Sequence, residues 1–302
     1  DLTEGATLAH LFKYDSSYGV YSGKAEFADG MLKTEHDDIR ITAEKDPTKL
    51  PHAEMKVDIV LECTGRFTKR DDAALHLQAG AKKVIISAPC KDKADGTFCM
   101  GVNEETYDPA TMHIVSNASC TTNCLAPMVK IMQEEFGIVT GFMTTVHSYT
   151  NDQNLLDLPH ADLRRARAAA VNIVPTSTGA AKAIGLVVPS VMGKLDGISI
   201  RVPTPTGSLN DLTVQTEKEV SIEAINAAFE KAAAGSMKGI LRVEHAPIVS
   251  HDIVGDPHSC IIDNALTNIS GKNLAKVFGW YDNEWGYSNR IVELAAYIGS
   301  KL

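Results

Sequence analysis

The sequence predicts an α/β protein in two parts, a parallel-sheet domain with crossover helices followed by an α+β domain on a mixed or antiparallel sheet. Three observations predict it. Between about residues 55 and 118, short β-rich runs alternate with helical ones. From residue 137 onward the apolar runs lengthen, alternate and are separated by turns. And 302 residues, 44% of them hydrophobic and 22% charged, suffice for two modest cores rather than one.

The run Val57-Asp58-Ile59-Val60-Leu61-Glu62-Cys63 is dense in aliphatic and β-branched residues and reads as a buried strand. The stretch 68–78 after it is amphipathic at helical spacing. Lys83-Val84-Ile85-Ile86-Ser87 and His113-Ile114-Val115-Ser116 are two further buried strands. Such alternation builds a parallel sheet, because parallel neighbours need a long crossover between them. Alternating strands then follow over 139–146, 197–202, 209–217 and 274–281, with turns in place of a helix each time. The segment 148–172 is polar, lacks a strand period, and reads as a long ordered loop kept for contacts or function. The last helix, 288–301, repeats apolar residues through Ile291, Leu294, Ala295 and Ile298 and is expected to pack back on the first domain. The expected boundaries are 1–119, 120–285 and, for the returning helix, 286–302.

A net charge of -9 without any Lys/Arg-rich run argues against nucleic acid as a partner. No stretch reaches the roughly 18 consecutive apolar residues of a membrane helix, and no leader opens the chain, so a cytoplasmic address without membrane attachment is expected. Six cysteines are too sparse for a disulfide scaffold, and no C-x-x-C pair points to a metal.

The chemistry centres on Ser116-Asn117-Ala118-Ser119-Cys120-Thr121-Thr122-Asn123-Cys124, where a strand gives way to a helix carrying Leu125, Met128, Val129, Ile131, Met132 and Phe136. Cys120 falls on the first turn, where unpaired N–H groups and the positive end of the helix dipole favour a thiolate. Cys124, one turn on, lacks that advantage. Small hydroxyl residues surround Cys120, whereas a packing cysteine usually has apolar neighbours. His147 closes the apolar run Thr144-Thr145-Val146 and is the candidate base, an imidazole beside the thiol being what nucleophilic cysteine chemistry requires. Zinc on Cys120, Cys124 and His147 would want a fourth ligand, and none stands at a suitable spacing.

The Ser-Asn-Ala-Ser-Cys-Thr-Thr-Asn run closely resembles the active-site signature of phosphorylating glyceraldehyde-3-phosphate dehydrogenases. Thr145-Val146-His147-Ser148-Tyr149-Thr150, Arg201-Val202-Pro203-Thr204-Pro205 and Trp280-Tyr281-Asp282-Asn283-Glu284 resemble that family too, in the right order. Leu158-Pro159-His160 with Leu163-Arg164-Arg165-Ala166-Arg167 is similar to its bacterial-type members. The resemblance implies Cys120 as nucleophile, His147 as base, and Ser119 and Thr121 as substrate contacts. It implies Thr150, Asp152 and Arg201 around the phosphate of glyceraldehyde 3-phosphate, and Arg165, Thr178 and Gly179 around inorganic phosphate. Arginine forks, hydroxyls and helix-terminal amides are all good phosphate ligands. A homotetramer, with the loop from Ser148 at subunit contacts, is implied as well.

A doubly wound nicotinamide domain should carry a G-x-G-x-x-G turn, and this sequence has none. By resemblance the Rossmann-type domain is N-terminally incomplete: the segment Asp1-Leu2-Thr3 follows where a first strand–helix–strand unit of roughly 30 residues would stand. Without that unit, weak NAD binding and an aggregation-prone sheet edge are expected. The resemblance still implies NAD as the cofactor. Asp1 would take the adenosine ribose, Lys45 the adenine end, Thr64, Gly65 and Phe67 the middle, Ser87 the nicotinamide ribose, Asn283 the carboxamide, and Tyr287 the flank of the ring. A carboxylate at position 1 would repel the extra phosphate of NADP, and Leu158-Pro159 matches members that prefer NAD. Two rival functions stay open at this point: an erythrose-4-phosphate dehydrogenase on the same scaffold, and an inactive fragment acting as a binding protein.

Overall fold

The computed structural model describes residues 1–302. The chain opens with α1 (Gly5–Lys13), a hairpin of β1 (Tyr14–Asp15) and β2 (Gly19–Val20), and an antiparallel meander of β3 (Ala25–Ala28), β4 (Met31–Thr34) and β5 (Asp38–Arg40). Periodicity does not reach these strands, because two to four residues are too few for alternation to register.

The parallel domain follows, with β6 (Ile59–Glu62), α2 (Arg70–Ala73), α3 (Leu75–Gln78), β7 (Lys83–Ile86), β8 (Gly96–Thr97) and β9 (Ile114–Ser116). Its four strands run in the order β6-β7-β9-β8, all parallel. All four residues of β7 are buried, as its unbroken aliphatic run requires of a central parallel strand. The stretch expected as one helix over 68–78 is two, divided at Ala74, where the bonding tightens to an i→i+3 bond from Leu77 N–H to Ala74 O (3.0 Å).

The rest comprises α4 (Cys120–Phe136), β10 (Ile138–Ser148), β11 (Val174–Ser177), α5 (Ala180–Val187), β12 (Leu195–Val202), β13 (Ser208–Thr216), α6 (Ile222–Ala234), β14 (Leu241–Glu244), β15 (Cys260–Asp263), β16 (Asn268–Ser270), β17 (Leu274–Tyr281) and α7 (Trp285–Gly299). One sheet runs β11-β12-β10-β13-β17-β15-β14, with β16 also on β17. It is mixed: β10 lies parallel to β12 and β14 to β15, and the remaining pairs are antiparallel. Leu125, Met128, Val129 and Met132 of α4 bury against Met143, Leu212, Val214 and Val277 of that sheet. At the end of the chain α7 turns back onto the parallel sheet, setting Ile291, Leu294 and Ile298 against Ile85, Phe98 and Val115. Each such burial contributes roughly 1.5–3 kcal/mol.

Parallel pairing aligns the carboxyl ends of β6, β7 and β9 at one edge, Glu62 beside Ile86 and Ile86 beside Ser116. Ligands of open α/β sheets bind outside that edge. Thr64-Gly65, Ser87 and the Ser119-Cys120 turn follow those three ends in sequence, so one edge gathers residues from three separate segments.

Candidate active site

The turn between β9 and α4 is built around Ala118, a non-glycine residue at φ +55. That left-handed conformation costs about 1–2 kcal/mol, and three bonds hold it. Ser116 Oγ accepts from the Ala118 amide (3.0 Å) and donates to Ala88 O (2.7 Å), while Tyr287 donates its hydroxyl to Ala118 O (3.1 Å). The reversal lets Ser119 cap α4, its Oγ accepting from the Thr122 amide at 3.0 Å. Cys120 is therefore the first residue of a 17-residue helix, as its sequence position predicts.

His147 enters from the sheet. In the parallel register of β10 and β12 it lies directly beside Arg201, so both side chains share one face. Its Nε2 is 3.5 Å from Cys120 Sγ, and its Nδ1 is 2.6 Å from the carbonyl of Ser148. Only a nitrogen carrying a proton can make the second bond, so in the neutral ring Nε2 faces the sulfur unprotonated.

The surroundings of the sulfur oppose the thiolate expected of a helix start. Burial is the largest influence on Cys120 and pushes the thiol up, and the amides of Thr121 and Cys120 with Arg201 only partly offset it. Burial and the neighbouring Arg201 lower His147 to about 4. Both shifts favour a neutral thiol–imidazole pair in the free site, because the desolvation cost of two charges exceeds what the helix end returns.

Beneath this pair lies a residue to which sequence reasoning assigned no role. Tyr281 is buried, its hydroxyl 3.0 Å from Thr121 Oγ1 and 2.8 Å from Thr145 Oγ1, and its ring stands edge-on to His147 at 6.0 Å. It ties the start of α4 to β10. Its only signal in sequence is its place at the end of an alternating strand. Thr121, expected to contact substrate, spends its hydroxyl on Tyr281, and Ser119 spends its own on the cap.

The residues expected around phosphate form two groups. Arg201 Nη1 donates to Thr150 Oγ1 (3.0 Å) and Ser148 O (3.3 Å), and its buried Nε has no partner. A buried donor aimed at nothing is what an anion site looks like before the anion arrives. Arg165 instead has a partner on each nitrogen, with Nη1 on the Asp152 carboxylate, Nε on Thr176 Oγ1 (2.9 Å) and Nη2 on Ser177 O (3.3 Å). Asp152 therefore pairs with an arginine, as its charge dictates. Thr178 Oγ1 accepts from the Ala180 amide (3.2 Å) and Gly179 is the N-cap of α5, so these two sit at a helix opening.

At the carboxyl edge, Thr64 donates amide and hydroxyl to Glu62, and Gly65, at φ +70, has open space where a side chain would be. Phe67 packs edge-on to His76 at 6.1 Å. Ser87 is half-buried and donates its amide to Glu62 O (3.1 Å). Asn283 is buried, and its Oδ1 accepts from the Gly207 amide (3.2 Å) and Ser208 Oγ (2.9 Å), which leaves Nδ2 as a donor for a ligand. Asp1 and Lys45 are exposed, Asp1 accepting only from the Thr3 amide (2.9 Å). The open glycine turn and the oriented Asn283 amide fit a nicotinamide dinucleotide.

A family model described as glyceraldehyde 3-phosphate dehydrogenase, C-terminal domain, matches residues 119–283, and one described as the NAD binding domain of the same enzyme matches residues 1–70. The chain is 57% identical over 301 residues to glyceraldehyde-3-phosphate dehydrogenase of Geobacillus stearothermophilus, covering all of this chain and 90% of that protein. Identity to the proteins of the same name is 57% in Mycobacterium avium, over all of this chain and 89% of that one, and 58% in Thermotoga maritima, over 97% and 87%. With its thiol, imidazole and arginine gathered at one helix start, the chain belongs to the glyceraldehyde-3-phosphate dehydrogenase family.

Proposed function

We propose that this chain oxidises and phosphorylates glyceraldehyde 3-phosphate to 1,3-bisphosphoglycerate through a thioester on Cys120, with NAD as cofactor. The observation that carries the reading is the 3.5 Å approach of Cys120 Sγ to His147 Nε2 at the first turn of α4, with Arg201 beside His147 in register. His147 Nε2 takes the thiol proton as sulfur attacks the aldehyde carbon, and returns it to the oxygen, giving a hemithioacetal. It then receives that hydroxyl proton as the carbonyl of the thioester forms. When bound along the edge carrying Thr64, Gly65, Ser87 and Asn283, NAD supplies the hydride acceptor. Arg201 with Thr150 holds the substrate phosphate, and Arg165 with Thr178 and Gly179 holds the inorganic phosphate that cleaves the thioester. A thiol suits this sequence because a thioester conserves the energy of oxidation for transfer to phosphate.

We further propose a division at residues 1–119, 120–285 and 286–302, a cytoplasmic address and a homotetramer. No helix is long and apolar enough to cross a membrane. The exposed Leu155, Leu156, Leu158, Leu163, Val171 and Ile173, in and just after the loop that opens at Ser148, support its use as a subunit contact.

The test is an NADH-absorbance assay with glyceraldehyde 3-phosphate, NAD and phosphate. Cys120→Ser is expected to lower kcat by roughly 10³ or more. An unchanged rate ends the thioester mechanism. Turnover that ignores phosphate would favour the erythrose-4-phosphate enzyme, and none at all in the wild type would favour the inactive fragment.

A further inference from the structure

Tyr18 stands in the β1–β2 hairpin turn, which Asp15 Oδ1 fixes by accepting from the amides of Ser17 (2.7 Å) and Tyr18 (2.8 Å). From there its side chain leaves the N-terminal segment and crosses to the far end of the chain. The hydroxyl donates into the Asp282 carboxylate, 2.9 Å from Oδ1 and 3.1 Å from Oδ2, and the ring lies 5.1 Å from that of Trp285. Asp282 is 1% exposed. It also accepts from Thr206 Oγ1 (3.1 Å), the Gly255 amide (2.8 Å) and the amides of Glu284 (2.9 Å) and Trp285 (2.8 Å) at the opening of α7. A buried carboxylate that accepts from this many donors is a fixed point, since each donor offsets part of the cost of keeping its charge in a dry site.

Two groups hang from that point. Asn283 is the next residue, its amide oriented by Gly207 and Ser208. Tyr287 is on the first turn of α7 and holds the carbonyl of the strained Ala118. We infer that Tyr18 is a positioning residue for the nicotinamide end of NAD, acting through Asp282 on Asn283 and on the start of α7. The inference rests on the assignment of Asn283 to the carboxamide. Burial and the adjacent Asp282 hold the Tyr18 hydroxyl well above its ordinary pKa, so it remains a donor across the working range.

Tyr18→Phe in the full-length enzyme keeps the ring on Trp285 and removes only the donor. Calorimetric titration with NAD and with ADP-ribose, which shares every part of NAD except the nicotinamide, separates a local effect from a general one. Affinity for NAD is expected to fall about tenfold to a hundredfold, the range of one hydrogen bond to a charged group, with ADP-ribose changing less than about twofold. KM for NAD should rise by the same factor while KM for the aldehyde does not. Equal weakening of both ligands would mean that Tyr18 only braces the fold, and no weakening of either would mean that it does nothing for the cofactor; each overturns the inference. Asn283→Ala is the control: NAD affinity insensitive to that change removes the carboxamide assignment and the inference with it, whereas a loss there without one in Tyr18→Phe removes the inference alone.

Discussion

His147 donates its Nδ1 proton to the carbonyl of Ser148 across 2.6 Å, and that bond decides which ring nitrogen meets Cys120. Burial pushes the thiol up and His147 down to about 4, and both shifts favour a thiol facing a neutral imidazole in the free enzyme near neutral pH. Alkylation of Cys120 by iodoacetamide should therefore keep rising from about pH 7 to about pH 9, with Cys120→Ser identifying the adduct. A rate already flat near pH 6 would instead reveal a preformed ion pair and reverse the assignment of charge.

The same depressed imidazole makes a prediction about stability. An unfolded histidine titrates near pH 6.5, so between about pH 6.5 and about pH 4 the unfolded chain binds a proton that folded His147 refuses. Its contribution is thus complete above about pH 6.5 and lost as the pH falls through the folded value, about 3 kcal/mol in all. Urea unfolding of wild type and His147→Asn at about pH 7 and about pH 5 should show the wild type losing about 2 kcal/mol more than the variant over that interval. Equal losses would mean that His147 titrates as an ordinary histidine.

Asp152 occupies the fork that Arg165 would offer to inorganic phosphate. Removing its charge frees Nη1 while leaving Thr176 and Ser177 O to hold the guanidinium in place. Asp152→Asn should lower KM for phosphate about twofold to fivefold, the scale of a partly exposed ion pair, with a shallower salt dependence. A raised KM would show that Asp152 orients Arg165 more than it competes for it.

Where the sequence was legible, it was because a local rule sufficed. The aliphatic run Lys83–Ile86 reads as a buried strand, and the apolar face after Cys120 reads as a helix that opens there. The loop 148–172 was visible from its lack of period. What stayed hidden depends on register or distance. Nothing local says that Arg201 lies beside His147; pairing of β10 with β12 says it. Nothing local sets Tyr281 under Thr121 or brings Tyr18 across 264 positions to Asp282. The helix end that favours a thiolate is a property of the neighbouring sequence, whereas the burial that opposes it belongs to the whole fold.

Tyr281 offers the sharpest test of how far the catalytic pair depends on what lies beneath it. Its hydroxyl joins Thr121, next to the proposed nucleophile, to Thr145, two residues before the proposed base, so it ties together the two elements that carry them. Tyr281→Phe keeps the ring edge against His147 and leaves two buried hydroxyls short of a partner, at a cost of about 1–3 kcal/mol. Urea unfolding should record that loss, and kcat should fall about tenfold, because an error of about 1 Å between nucleophile and base is expensive. Adding Thr121→Val removes one stranded hydroxyl and should recover part of the stability, since replacing both partners of a buried hydrogen bond is nearly neutral. If the bridge sets geometry, kcat stays low in the double variant even as stability returns; if kcat recovers together with stability, Tyr281 serves the core and not the pair above it.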